Sequence, residues 1–126
     1  MSWATAPRII EGFLTGGLST TPSANQVLAV MVVLVPGQVR IVGGKTLAAA
    51  AQTTIVDLQV NGTSVWTDPA RRLTFNAGVA YTQPVFSTPD HRSVRPGDIL
   101  ELIVIQSSNN VGVAATAIIE YPVSVP

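Results

Sequence analysis

The chain has 126 residues, a mass of 13.2 kDa, no cysteine, and seven basic against seven acidic residues, so its formal net charge is zero. Area scaling leaves roughly 6,400 Å² of about 19,000 Å² exposed on folding, which suits one domain whose core needs no metal or disulfide. Charged residues are 11% of the chain, where an average domain has roughly 25%. The surface is therefore built from Thr, Ser, Asn, Gln, Ala and exposed apolar atoms, and such a surface resists association poorly. This points to a protein that lives packed against copies of itself or against a partner. One lysine and a neutral balance speak against nucleic-acid binding through phosphates. The 47% hydrophobic content speaks against disorder. The longest apolar run, residues 27–35, falls short of the roughly 20 residues that cross a bilayer as a helix, so no membrane is expected. Met1-Ser2-Trp3-Ala4-Thr5-Ala6-Pro7-Arg8 lacks the basic and then apolar stretches of a signal peptide. The lack of cysteine fits synthesis in a reducing cytoplasm.

Valine, isoleucine and threonine are abundant, and glycine and proline punctuate the chain. That spacing predicts short strands in a sandwich or barrel. Residues 8–14 form the first expected strand, and residues 15–25, rich in Thr, Ser, Gly and Pro, an expected loop. Residues 27–35 read as a strand buried on both faces. After the Pro36-Gly37 turn comes a short strand at 38–42, broken by Gly43-Gly44. The alanine-rich stretch 46–52 is a helical turn or a plain connection. Residues 53–60 put Val56, Leu58 and Val60 on one face and Asp57 on the other. Asn61-Gly62 then signals a tight hairpin, because both turn positions need positive φ. The return strand spans 63–67, and Trp66 within it reads as core or inter-sheet packing. Strands at 72–76 and, irregularly, 80–86 follow. After the turn at 94–98, residues 99–106 alternate cleanly, with Leu100, Leu102 and Val104 together. Residues 111–121 close the set with Val113, Ala115, Ala117, Ile119 and Tyr121 on one side. The fold expected is all-β, a single antiparallel jelly-roll-like sandwich of about eight strands. Its domain spans 8–122, with an N-terminal arm at 1–7 and a tail at 123–126.

Catalytic signatures are absent. His91 is the one histidine, set in a turn-like stretch with Asp90, Arg92 and Arg95, and reads as a solvated loop residue. No Gly-x-Ser-x-Gly elbow presents a nucleophile. No thiol and no second histidine are available to hold zinc, and the acidic residues are scattered where calcium needs them clustered. Asp57 and Glu101 converge in some sheet orders, as any random pair does. Neither Gly16-Gly17 nor Gly43-Gly44 carries a phosphate-binding pattern. No enzyme activity, cofactor or metal is expected. A tryptophan on an arm, Trp3, is a candidate anchor for a partner pocket, and Trp3, Pro7 and Arg8 form the expected partner-binding segment.

One combination of motifs stands out. Pro36-Gly37 precedes Val39 and Ile41, and a strand ends in Asn61-Gly62-Thr63-Ser64-Val65. Leu73-Thr74-Phe75-Asn76-Ala77-Gly78 comes next, then Arg95-Pro96-Gly97-Asp98-Ile99-Leu100-Glu101-Leu102 running into Ile103-Val104-Ile105-Gln106, then a final alanine- and isoleucine-rich strand. In order and spacing this resembles the small jelly-roll virion domains of tailed bacteriophages, found in capsid decoration proteins, head fibres and tail receptor-binding proteins. It departs from them in the alanine run 48–51 and in the Asp68-Pro69-Ala70-Arg71-Arg72 insertion. The resemblance implies a virion structural protein, most directly a capsid decoration or cement protein, made in the host cytoplasm and carried in the virion. It implies a homotrimer that binds the major capsid protein. The alternative it implies is a head-fibre or tail-tip module that recognises a host glycan, for which Trp66, Tyr81 and Phe86 exposed on one rim would be the sign.

Overall fold

The structure is a computed structural model, and it describes residues 7–18, 23–46, 53–76, 85–106 and 112–124. Ten strands occupy these residues: β1 (Pro7–Leu18), β2 (Gln26–Val32), β3 (Gly37–Thr46), β4 (Thr54–Val60), β5 (Thr63–Ser64), β6 (Leu73–Phe75), β7 (Val85–Ser87), β8 (Ser93–Val94), β9 (Ile99–Gln106) and β10 (Val113–Ser124). They form two antiparallel sheets. The first runs β1-β10-β3-β7, with β8 also paired to β3; the second runs β2-β9-β4-β5, with β6 also paired to β4. First strand pairs with last, second with next to last, and so inward. The chain is one long hairpin rolled so that successive pairs alternate between sheets, which is the jelly-roll sandwich. The ten segments fill eight places, because β5 and β6 share β4 and β7 and β8 share β3.

The core lies between the sheets and follows the period of two. Val39, Val42, Val113, Ala117 and Ile119 enter from the first sheet. Val56, Leu58, Leu73, Phe75, Leu100, Leu102 and Val104 enter from the second, all fully buried. The alternation read from 99–106 and 111–121 is the one observed. Trp66 lies just past β5 and is core, its indole Nε1 donating to the Thr88 carbonyl at 3.1 Å.

Several expected boundaries move, for identifiable reasons. Residues 15–18 are not loop: β1 runs on to Leu18, paired throughout with β10. Gly16 is there because β1 crosses close over β2, where a Cβ would stand 2.3 Å from the Leu28 carbonyl oxygen. Gly43-Gly44 does not break β3, which continues to Thr46. A Cβ on Gly44 would meet the Ala114 carbonyl at 2.8 Å and the Phe75 ring at 3.1 Å, so glycine here permits close packing. Pro7, expected in the arm, and Val123 and Ser124, expected in the tail, belong to strands. Pro7 and Arg8 already pair with Ser124 and Val123, since a ladder of that length stabilises both ends of the chain. The possible helical turn at 46–52 and the irregular strand at 80–86 fall largely outside the described residues; within them, Thr46 ends β3 and Val85–Ser87 is β7.

The largest correction concerns 27–35. β2 ends at Val32, and the run is not buried on both faces: Val30, Val32 and Leu34 are 58%, 54% and 79% exposed. β2 is the edge strand of its sheet, so only its inward residues and Val33 reach the core. Val33 is held by its own N–H to the Asp98 carbonyl and by the Gly97 N–H to its carbonyl, both at 2.8 Å.

Asn61 and Gly62 have φ of 52° and 83°, the left-handed pair that a two-residue hairpin between β4 and β5 requires. A Cβ at Gly62 meets nothing within 4 Å, so the cost of a side chain there is conformational alone. Gly62→Val is expected to lower stability by about 1–3 kcal/mol, measured as a shift in the urea midpoint. An unchanged midpoint would contradict the assignment of this turn.

Candidate functional site

Six of the fourteen charged residues, Asp57, Asp68, Arg71, Arg72, Asp90 and Asp98, meet at three joints between segments. Asp57, on β4, is fully buried. The Asn61-Gly62 hairpin sets the register Gln59↔Ser64, which brings Ser64 within reach: its Oγ donates to Asp57 Oδ1 at 2.7 Å, and Gln59 Nε2 donates to Oδ2 at 3.2 Å. Arg72, leading into β6, places its Nε at 3.5 Å from the same carboxylate. Ser64 Oγ in turn accepts from the Trp66 N–H. A buried charge requires such partners. Glu101 pairs with Gln59 across the β4–β9 ladder, while Asp57 pairs with Ile103. The two carboxylates are thus diagonal neighbours on the outer side of the sheet, and the Asp57 oxygens are already engaged.

A second joint ties the segment around β8 to the segment after β5. Arg71 forms an ion pair with Asp90 and donates to the Thr88 carbonyl at 2.8 Å, and Ser87 Oγ donates to the Arg71 carbonyl at 2.6 Å. Asp90 accepts the Thr67 N–H at 2.9 Å. His91 is exposed, with Nε2 at 3.3 Å from Thr67 Oγ1. Asp68 caps the short 3₁₀ turn Pro69–Arg71 by accepting the Ala70 N–H. The insertion is therefore a staple, and its arginine and aspartate are spent on holding loops.

A third joint links two turns. Asn61 Nδ2 donates to Asp98 Oδ1 and the Ile99 N–H donates to Asn61 Oδ1, both at 2.9 Å, while Asp98 Oδ2 accepts the Arg95 N–H at 2.8 Å. That N–H, with the Asn61 amide behind it, holds the Asp98 carboxyl below the usual carboxylate range. The Thr67 N–H, aided by the Arg71 guanidinium, does the same for Asp90. Among the described residues no group of three or more His, Asp or Glu is placed to hold a metal ion.

What remains for a partner is apolar surface. Of the eight large hydrophobic residues exposed among the described residues, six (Val27, Val30, Val32, Leu34, Val35 and Ile99) belong to β2, the segment after it and the start of β9. They lie on the outer side or the free margin of the second sheet. The other two, Phe13 and Phe86, are about 60% exposed and stand on the outer side of the first sheet. There, a depression of about 270 Å³ has Gly43, Ala114 and Thr116 among its lining residues, with Ile41, Ile118, Lys45 and Phe86 around them. Phe13 stands one strand away, directly opposite Ile118. Below this patch the same face turns polar, with Arg40 bridging Glu11 at 3.0 Å and Glu120 at 3.3 Å.

Of the expected partner segment, Pro7 and Arg8 open β1, and Trp3 lies outside the described residues. Of the rim expected for a glycan site, Trp66 is buried and Phe86 exposed, and Tyr81 lies outside the described residues. The two apolar faces escaped the sequence reading, although a signal existed. A run such as 27–35, apolar at both odd and even positions, must expose half of itself when it stands at a sheet edge. No protein-family model matches this chain, and no curated protein shows significant similarity to it.

Two outcomes follow from the joints. Both lowered carboxylates sit below an unfolded value near 3.8. Their contribution is complete above that pH and is lost as pH falls through their folded values. Melting temperature is therefore expected to hold from neutral pH to about 4 and to fall below it. Asp98→Asn should begin less stable at neutral pH and lose less on acidification; an acid limb identical to wild type would refute the role of Asp98. Asp57→Ala, which leaves Arg72 and Ser64 facing an uncompensated site, is expected to cost on the order of 3–5 kcal/mol, read from denaturant unfolding.

Proposed function

We propose that this chain is a bacteriophage virion structural protein, a capsid decoration or cement protein that associates with copies of itself as a trimer and binds the major capsid protein on the assembled head. The observation that carries this reading is the division of exposed apolar surface between the two outer faces of the sandwich. Two separate faces suit a subunit that meets its neighbours with one and the shell with the other. The sparse charge of the chain and the jelly-roll strand order, which agrees with its motif resemblance to phage virion domains, lend further support.

The mechanism is mass action. A ligand that binds the assembled lattice and not its separated subunits stabilises the lattice by its binding free energy. In this reading the Phe13 and Phe86 face contacts the shell, and Trp3, ahead of β1 in the sequence, adds an aromatic anchor. A second reading, a head-fibre or tail-tip module that takes a host glycan, is favoured by one observation: the Phe86 ring stands beside a depression with Lys45 and Thr116 at its border, and sugar sites combine an aromatic wall with a few polar groups.

The test is addition of the purified chain to particles that lack it. The expected result is saturable binding at a fixed number of copies per head and greater resistance of the head to heat. Burial of one such aromatic ring contributes roughly 1.5–3 kcal/mol, so Phe86→Ser and Trp3→Ala should each weaken binding at least about tenfold. Binding confined to fibres or tails, or inhibition by a host glycan, would transfer the assignment to the second reading. No binding to particles at all would overturn both.

A further inference from the structure

We infer that the apolar strip formed by Val30, Val32, Leu34 and Val35, with Ile99 beside it, is the surface at which copies of this chain meet. The inference goes beyond the assignment to a virion and stands without it. Residues 26–35 hold no charge, and β2 is the free edge of its sheet. Edge strands of soluble monomers are blunted by charge, by proline within the strand, or by a covering segment. Among the described residues, none of these lies along the second half of β2. Its first half carries a bulge between Val27 and Ala29 and is overlaid by β1 at Gly16, which leaves the stretch from Val30 onward uncovered. By contrast β1, one edge of the first sheet, carries Arg8 and Glu11.

The extent of the strip decides between a chance exposure and an interface. The five exposed residues of the strip present roughly 450 Å², the size of the largest patch on a monomer, which is often functional. The half-buried Ile103 and Ile105 continue the same face inward, toward the roughly 800 Å² per partner of a stable interface. The occupant is a second copy for two reasons. A surface this apolar belongs to obligate contacts, which form as soon as the chains fold, and the strip is always present at the concentration of the chain itself. Charge permits the arrangement as well. Glu101, directly opposite Val30, stands one strand inward from the edge, so an approach through β2 leaves the glutamates of two copies roughly three strand spacings, or about 14 Å, apart.

The test is the mass of the full chain in solution by light scattering at micromolar concentration, with circular dichroism to follow the fold. Wild type is expected at a multiple of 13.2 kDa. Val30→Glu with Leu34→Glu should fall to a single copy with its β-sheet spectrum intact, while Phe13→Ser with Phe86→Ser keeps the wild-type mass. Because the chain has no cysteine, a milder pair of variants gives a second measurement. Leu34→Cys should form an interchain disulfide on oxidation far faster than Phe86→Cys. A single-copy mass for wild type, or loss of association in the Phe13 and Phe86 variant but not in the β2 variant, would overturn the inference, as would faster cross-linking through Phe86→Cys. Failure of the chain to bind particles would leave it intact.

Discussion

The ladder between β1 and β10 closes the structure. Twelve residue pairs, from Pro7↔Ser124 to Leu18↔Val113, join the two ends of a chain whose inner strands are nested between them. In a rolled hairpin each inner pair is positioned by the pair outside it, so this outermost pairing sets the frame in which β3 meets β10 and β2 meets β9. Its closure entropy is large, because the paired residues are separated by nearly the whole chain. The compensation comes from the apolar side chains that closure traps between the sheets, Val113, Ala117 and Ile119 among them.

Charge and apolar surface are distributed with a clear division. Asp57, Asp90 and Asp98 each receive two or more hydrogen bonds or an ion pair from segments remote in sequence or across a turn. Asp90 and Asp98 lie in connections between strands, and Asp57 lies within β4, facing the residues that lead out of β5 and into β6. A chain with only fourteen charged residues commits these three carboxylates to holding its turns in place. The outer sides of the sheets carry the exposed valines, Leu34, Ile99 and the two phenylalanines, beside the Arg40–Glu11–Glu120 cluster.

The sequence made the inward-facing pattern legible because burial between sheets enforces a period of two. Leu100, Leu102 and Val104 alternate, and so do Val113 to Ile119, so strand identity and core face follow from side-chain type. Asn61-Gly62 was legible for a different reason: its backbone geometry is so restrictive that residue choice records it. Three things were not. Glycines 16, 43 and 44 were read as breaks, but their role is to admit a neighbouring strand or ring, and nothing local distinguishes that from a turn. The apolar run at 27–35 was read as doubly buried, because composition reports hydrophobicity and not position within a sheet. Asp57 was placed on the correct side of β4, yet Arg72 could not be assigned to it, since that contact depends on how β6 lies against β4.

The outermost ladder has a mechanical consequence as well. Pro7 and Ser124 are directly opposite each other across one antiparallel pair. Tension applied between these points would open β1 from β10 rung by rung, like a zipper, with only one or two hydrogen bonds bearing the load at any moment. Force that enters through the broad sides of the sheets is instead spread over every strand and the packed interior between them. The molecule is thus soft to peeling from its termini and stiff to compression and shear across its faces. Load is therefore borne best when it enters through the sheet faces and not through Pro7 and Ser124.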